Sequence, residues 1–184
     1  IMMTVVYYIV VVVLFRRGGA EQPYILYLVT GLLAWKAFQD SVSQSINSIR
    51  GQAAIIRSVG FPKAVLPLSL TLSNLVYFLV ALLVVFAMAW WYAGEYGTWP
   101  NIYYLMLPVV IGIQVLFTIG MTFLLSTIGL FFQDIGHIMG HLLRMWFFLA
   151  PGLYSIDRVP ANYRMLFRAN PFCGLMTSYR DIIM

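Results

Sequence analysis

The sequence predicts an all-α integral membrane protein, a polytopic helical bundle, and three observations indicate this fold class. Of the 184 residues, 62% are hydrophobic and only 9% are charged, whereas soluble domains usually carry about 25% charged residues. Two stretches without a charge, Ala64–Gly94 and Tyr96–Gln133, exceed the roughly 20 residues that a helix needs to cross a bilayer. Neither stretch alternates apolar and polar residues as an outer-membrane strand does, so helices are favoured.

The first two of five predicted crossings lie before the longest charge-free stretches. The first, Ile1–Phe15, is short for a crossing and ends at two arginines, so we expect its beginning to precede the given sequence. The second runs from Tyr24 to about Ile46 and contains Lys36 and Asp40. These two side chains are four residues apart, so a helix brings them close enough to pair.

Three further crossings follow a loop that carries a short helix and covers Asn47–Pro67. The third crossing, Pro67–Tyr92, ends in an aromatic cluster typical of a membrane interface. The fourth runs from Ile102 to Phe132, and Pro108 near its start is tolerated because the first N–H groups of a helix lack helical partners. The fifth is predicted from Ile135 to about Leu153.

The last segment, 157–184, is too highly charged for an ordinary crossing. Prolines divide it into two short predicted helices, at about 160–169 and 171–183. Asn170 and Pro171 form a favourable helix start, since Asn is a good N-cap and Pro suits the first turn. We expect these helices to form a hairpin that lies in the interface or enters the membrane and returns.

Polar residues inside the fifth crossing are candidates for function. Arg144 lies near its middle, where a charge facing lipid is costly, so it contacts either a substrate pathway or a polar group of another helix or subunit. His137 and His141 are four residues apart beside Gly136 and Gly140. Helix packing or lipid headgroup contact is favoured for this group over a metal or haem site, because a zinc site needs three or four ligands.

Aromatic side chains could offer stacking faces to sugar rings, with lipid contact and core packing as the alternative for each. The candidates are Trp35, Trp146, Phe147, Phe148 and Tyr154. No nucleophile with a base, phosphate loop or paired-carboxylate site is present in the sequence, so catalysis by this chain is not expected. The net charge of +5 arises at the ends of apolar runs, which suits headgroups and not nucleic acid.

Two regions resemble ABC-2 type permeases that export polysaccharides. The segment 53–67, Ala-Ala-Ile-Ile-Arg-Ser-Val-Gly-Phe-Pro-Lys-Ala-Val-Leu-Pro, is similar to the loop after the second span of that family. An ordered series over 133–180 is similar to its fifth span and trailing hairpin. This series consists of Gln133-Asp134-Ile135, the run from Leu143 to Tyr154, Val159-Pro160, Arg164, Asn170-Pro171 and Tyr179-Arg180.

The resemblance implies a single permease domain over 1–184 with six crossings in the full protein, so that an N-terminal interface helix and the last span would lie outside this sequence. It implies a homodimer with separate nucleotide-binding ATPase subunits, which bind ATP and Mg, and no cofactor in this chain. A coupling helix toward the ATPase would fall at 50–61, and a periplasmic gate hairpin at 157–184. The topology follows the family, although the distribution of Lys and Arg alone would invert it.

The same resemblance implies roles for individual residues. The expected coupling residues are Arg50, Ile56, Arg57, Phe61 and Pro62. The expected channel residues are Trp35, Arg144, Trp146, Phe147, Phe148 and Tyr154. The expected gate residues are Pro160, Arg164, Asn170, Pro171, Tyr179 and Arg180. No metal ligand is expected.

The function implied is ATP-driven export of an undecaprenyl-linked polysaccharide, with O-antigen as the first expectation, across the inner (plasma) membrane. Teichoic acid, capsule, or a small lipid or drug are alternative cargoes within the same class. A passive channel, or a haem-binding membrane subunit that uses His137 and His141, is the alternative from a different class.

Overall fold

The computed structural model describes residues 24–52, 56, 62–96, 102–150 and 169–183. Every regular element in these segments is a helix, so the predicted all-α class is confirmed. The first predicted crossing, Ile1–Phe15, and the first predicted tail helix, up to residue 168, lie outside the described residues.

Six α-helices and one short 3₁₀ helix form the described part of the chain. They are α1 (Tyr24–Ile46), α2 (Ser48–Gly51), α3 (Val65–Tyr96), the 3₁₀ helix Ile102–Met106, α4 (Leu107–Phe131), α5 (Ile135–Leu149) and α6 (Pro171–Ile183). The helix α1 has the bounds predicted for the second crossing, and α6 has those of the second tail helix. Pro108 lies in the first turn of α4, as its lack of an N–H requires.

Two of the described helical segments are long and apolar enough to cross a membrane, namely Val65–Gly94 and Ile102–Phe131. Both expose large apolar side chains along their length, for example Val76 and Leu83 on α3 and Ile113 on α4. Such surfaces suit lipid contact, because every backbone polar group inside a helix is already hydrogen-bonded. The structure therefore supports an all-α membrane protein.

The helix α5 is shorter than predicted. We expected the fifth crossing to reach about Leu153, but α5 ends at Leu149 and Ala150 has extended backbone angles (φ −91°, ψ 144°). Ala150 precedes Pro151 in the sequence, and the proline ring disfavours a helical conformation for the residue before it. At 15 residues, α5 spans about 22 Å, less than a full crossing.

The helix α1 lies at the centre and packs against all the other α-helices. It runs parallel to α4, because Ala34 contacts Gln114 and Ile46 approaches Gly129. It is antiparallel to α5 and α6, which divide its length between them. The helix α5 covers the half that ends at Ile46, and α6 covers the half that begins at Tyr24.

Candidate functional site

An aromatic cluster joins four helices at the level where α5 ends and α6 begins. Its members are Trp35 and Phe38 of α1, Phe117 of α4, Trp146 and Phe147 of α5, and Phe172 of α6. The Phe172 ring lies 4.4 Å from that of Phe38 and 4.9 Å from that of Trp35, centroid to centroid. Tilted and edge-on pairs at such distances are attractive beyond their area of contact.

Burial separates the predicted channel residues into two groups. Trp35 and Phe147 are only 3% and 6% exposed, and Trp146 is half-buried, because all three belong to the aromatic cluster. Arg144 is exposed. The Phe148 side chain and Tyr154 lie outside the described residues. Contact between any of them and a cargo stays a prediction.

Asn170 connects the end of α5 to the start of α6. Its Oδ1 atom accepts hydrogen bonds from the backbone N–H of Phe172 (3.1 Å) and from the indole N–H of Trp146 (3.0 Å). Its Nδ2 atom donates to the carbonyl oxygen of Leu149 (3.3 Å). The predicted N-cap is therefore confirmed, and the same side chain satisfies one of the last carbonyls of α5.

Replacing Asn170 with alanine is expected to lower the free energy of unfolding by about 2 kcal/mol, since N-cap loss alone costs ~0.5–2 kcal/mol and two further hydrogen bonds disappear. Thermal unfolding of the purified protein in nanodiscs measures the change. Asn47→Ala is the matched control, because Asn47 precedes α2 but its side chain makes no capping hydrogen bond. Equal stability of the two variants would contradict this role of Asn170.

A second polar contact anchors the other end of α6 on α1. Arg180 is only 4% exposed. Its Nη1 donates to the Tyr27 hydroxyl (2.8 Å), its Nε donates to the Tyr27 carbonyl oxygen (3.4 Å), and its guanidinium lies 3.6 Å from the centre of the Tyr27 ring. Gly31 leaves room for this group, since a Cβ there would lie 2.5 Å from Nη2. Burial raises the pKa of the neighbouring Asp181 carboxyl, and the charge of Arg180 opposes this rise.

The predicted gate residues are thus only partly placed. Asn170, Pro171 and Arg180 are at the two ends of α6. Tyr179 is fully buried, with its ring 5.8 Å from that of Phe78. Pro160 and Arg164 lie outside the described residues. The partners Tyr27 and Gly31 were missed by sequence reasoning, because more than 140 residues separate them from Arg180 and no local pattern marks the contact.

A small cavity of about 20 Å³ lies between α1, α3 and α4. Gln114, only 4% exposed, borders it; its Nε2 donates to the Ala34 carbonyl (3.0 Å) and its Oε1 has no protein partner. The hydroxyls of Ser41, Thr71 and Thr118 line the same cavity and donate to carbonyls of their own helices. Such a cavity has room for about one water molecule. Sequence reasoning did not single out Gln114.

A hydrophilic face is formed by exposed residues of α1 and α5. On α1, one side of the half toward Ile46 carries Lys36, Asp40, Ser43 and Asn47. On α5, the exposed polar residues are His137, His141 and Arg144. Lys36 Nζ lies 2.5 Å from Asp40 Oδ1, which confirms the predicted pair. In contrast, α3 and α4 expose mainly apolar side chains.

The two polar strips lie on neighbouring helices. At one end of α5, Asn47 comes close to Gly136, and at the other end the rings of Trp35 and Phe147 are 5.6 Å apart. Trp146 contacts Phe117 of α4. Because successive residues turn by about 100°, Arg144 lies on the opposite side of Phe147 from Trp146, toward α1. The hydrophilic face is named below by these seven residues.

The predicted coupling residues fall at the Ile46 end of the bundle. Arg50 is exposed at the end of α2, which contacts α1, α3 and α4. Ile56 is half-buried and Pro62 is exposed. Arg57 and Phe61 lie outside the described residues, so the predicted helix 50–61 is seen only in its first part. Within the described segments no group of three His, Cys, Asp or Glu side chains could hold a metal ion.

Comparison with known proteins gives a family for this chain. Residues 1–184 match the ABC-2 type transporter family. The chain is 35% identical over 160 residues to the O-antigen export system permease protein RfbA of Myxococcus xanthus, covering 85% of this chain and 59% of that protein. Two Klebsiella pneumoniae proteins of the same name are 32% and 31% identical, and each match covers 88% of this chain and 61% of the relative.

The chain thus spans about three fifths of the length of these relatives. The family match covers the whole chain, and its helices and apolar surfaces are those of an all-α membrane protein. The chain belongs to the ABC-2 type transporter family.

Proposed function

We propose that this chain is the membrane subunit of an ATP-driven exporter of an undecaprenyl-linked polysaccharide of the O-antigen type, in the inner membrane. Two copies would enclose the pathway between their hydrophilic faces, and a separate ATPase subunit would bind ATP and Mg. The hydrophilic face is the observation that carries the proposal. The names of the relatives, O-antigen export permeases, supply the cargo class.

The energetic argument concerns three formal charges on that face. Lys36 and Asp40 pair with each other, but Lys36 remains largely exposed, and no described carboxylate lies within ion-pair distance of Arg144. A charge at the centre of a bilayer costs at least ~2.5–3.5 kcal/mol on the most lenient scale. Contact with lipid is therefore unfavourable for this face, while water or a second polar surface would stabilise it.

The packing of one subunit supports a pathway between copies. The aromatic cluster fills the space between α1, α4, α5 and α6, and the cavity beside Gln114 has only about 20 Å³. Pockets for small molecules usually have about 300–1,000 Å³. Neither a sugar chain nor a drug fits within the described part of one subunit, so a cargo would move along its surface. A surface pathway suits a polymer better than a small drug.

The ATPase would act at the Ile46 end of the bundle, at the coupling residues Arg50, Ile56, Arg57, Phe61 and Pro62. The described part of this region supports such a role, because Arg50 and Pro62 are exposed and α2 contacts three longer helices. A displacement of α2 would reach α1, which carries half of the hydrophilic face.

Cysteine labelling tests the proposed pathway. We expect Ser43→Cys to react with a membrane-impermeant maleimide at least tenfold faster than Val80→Cys, because Ser43 belongs to the hydrophilic face and Val80 is exposed on an apolar side of α3. The native Cys173 is buried and gives a low background. The assay uses membranes that contain the intact transporter with its ATPase.

The same labelling gives the functional result. Modified Ser43→Cys should block the appearance of polysaccharide at the cell surface, whereas exposure of the Val80→Cys protein to the reagent should not. Equal, slow labelling at both positions would show that the hydrophilic face does not meet water and would overturn the proposal.

A further inference from the structure

The exposed surface of α5 consists of two parallel strips of different chemistry. His137, His141 and Arg144 form the cationic strip, at spacings of four and three residues that place them on one side of a helix. An apolar strip runs beside it, formed by Ile138, Leu142, Met145 and Leu149. Each strip follows the helix axis for three turns or nearly so. The buried side of α5 contacts α1 and α4, so both strips are open in the single subunit.

The charge of the cationic strip is not compensated by the described residues. Asp40 is engaged with Lys36. Asp134, which immediately precedes α5, is ten residues from Arg144, about 15 Å along the axis, and too far for an ion pair. Arg144 therefore offers a fixed positive charge with several N–H donors, and each imidazole adds an N–H donor. This donor set suits a phosphate oxygen.

We propose that the two strips of α5 form a binding seam for the junction between lipid and glycan in the cargo, with the anionic diphosphate on His137, His141 and Arg144 and the polyprenyl chain on Ile138, Leu142, Met145 and Leu149. This inference rests on the proposed function. The ligand class follows from the juxtaposition: an amphiphile whose phosphate adjoins an apolar chain meets both strips at once, whereas a neutral glycan or a free phosphate uses only one. The cationic strip extends over about 10 Å, long enough for a diphosphate to move from one donor to the next.

Binding of farnesyl diphosphate tests the seam. The probe is radiolabelled farnesyl diphosphate, added to the intact transporter with its ATPase in nanodiscs and corrected for empty nanodiscs. We expect it to bind at least tenfold more tightly than either farnesol or inorganic diphosphate. Arg144→Gln should lose at least tenfold in affinity for farnesyl diphosphate and leave farnesol binding unchanged. Arg144→Lys should recover part of the loss.

Two further variants separate the strips. Met145→Gln should weaken the binding of both farnesyl compounds, because it interrupts the apolar strip. Arg50→Gln is the matched control for the loss of an exposed arginine elsewhere and should bind like the wild type. Because all the altered side chains are exposed, thermal unfolding should be unchanged within one or two degrees. Wild-type affinity in Arg144→Gln, or equal affinity for inorganic and farnesyl diphosphate, would overturn the seam.

The outcome can be separated from that of the proposed function. If Arg144→Gln binds farnesyl diphosphate normally while wild-type cells need this protein to display polysaccharide, only the seam is wrong. If cells that lack the protein still display polysaccharide, the proposed function is wrong, and the seam loses its cargo with it.

Discussion

Replacing Gly129 with valine is expected to destabilise the protein by about 3 kcal/mol or more and to abolish most of its folded yield. Gly129 is buried where α4 crosses α1, and a Cβ at this position would collide with the carbonyl oxygen of Ile46. Overpacking usually costs ~1–3 kcal/mol. The upper end applies here because the obstacle is backbone, which cannot rotate away as a side chain can. Size-exclusion profiles and thermal unfolding of detergent-solubilised protein measure the loss.

Gly120→Val is the matched control on the same helix. Gly120 is exposed, and no atom lies within 4 Å of its virtual Cβ, so the substitution should change stability by less than about 1 kcal/mol, the range of helix propensity. Similar damage at both positions would show that valine harms α4 itself and that the crossing with α1 tolerates a side chain. Small residues at such crossings let two membrane helices approach closely.

The fold class and the helix ends were predictable where local chemistry decides them. Charge-free runs gave α3 and α4 approximately, and Asn170 with Pro171 marked the start of α6 because capping needs only adjacent residues. The Lys36–Asp40 pair was predictable because four residues make about one helical turn. The end of α5 was placed four residues too late, since apolar residues continue past Leu149 and the influence of Pro151 on Ala150 was overlooked.

Contacts between distant residues were beyond the reach of sequence reasoning. Hydropathy does not distinguish an aromatic residue that faces lipid from one that faces another helix, because both environments are apolar. Trp35 therefore looked like a channel residue, whereas the structure places it among the rings of α4, α5 and α6 in contact with Phe38 and Phe172. The environment of Gln114 depends on three separate helices in the same way.

Arg144 shows what a single sequence can give for a site. Its position within an apolar segment was enough to predict a polar environment. The structure adds that the residue is exposed and shares its side of α5 with His137 and His141. The importance of this strip could not be judged from spacing alone, because the same spacing occurs at packed helix contacts.

Phe172→Ala is expected to destabilise the protein by about 3–5 kcal/mol, the usual range for removing a fully buried phenylalanine. The Phe172 ring is at the centre of the aromatic cluster, with Trp35, Phe38, Phe117 and Trp146 around it. Its removal would leave a cavity between α1 and α6 and weaken the attachment of α6. Thermal unfolding in nanodiscs measures the loss, and faster hydrogen exchange in α6 would locate it.

Phe131→Ala is the control for this substitution, because Phe131 is 76% exposed at the end of α4 and its removal should change stability by less than about 0.5 kcal/mol. The comparison also bears on the predicted channel. If the cluster is a structural core, Phe172→Ala should lose stability and export together, and the less disruptive Phe172→Leu should restore both in part. A Phe172→Ala protein with wild-type stability that fails to export would instead assign the cluster to the cargo pathway, because only contact with the cargo would then have been lost.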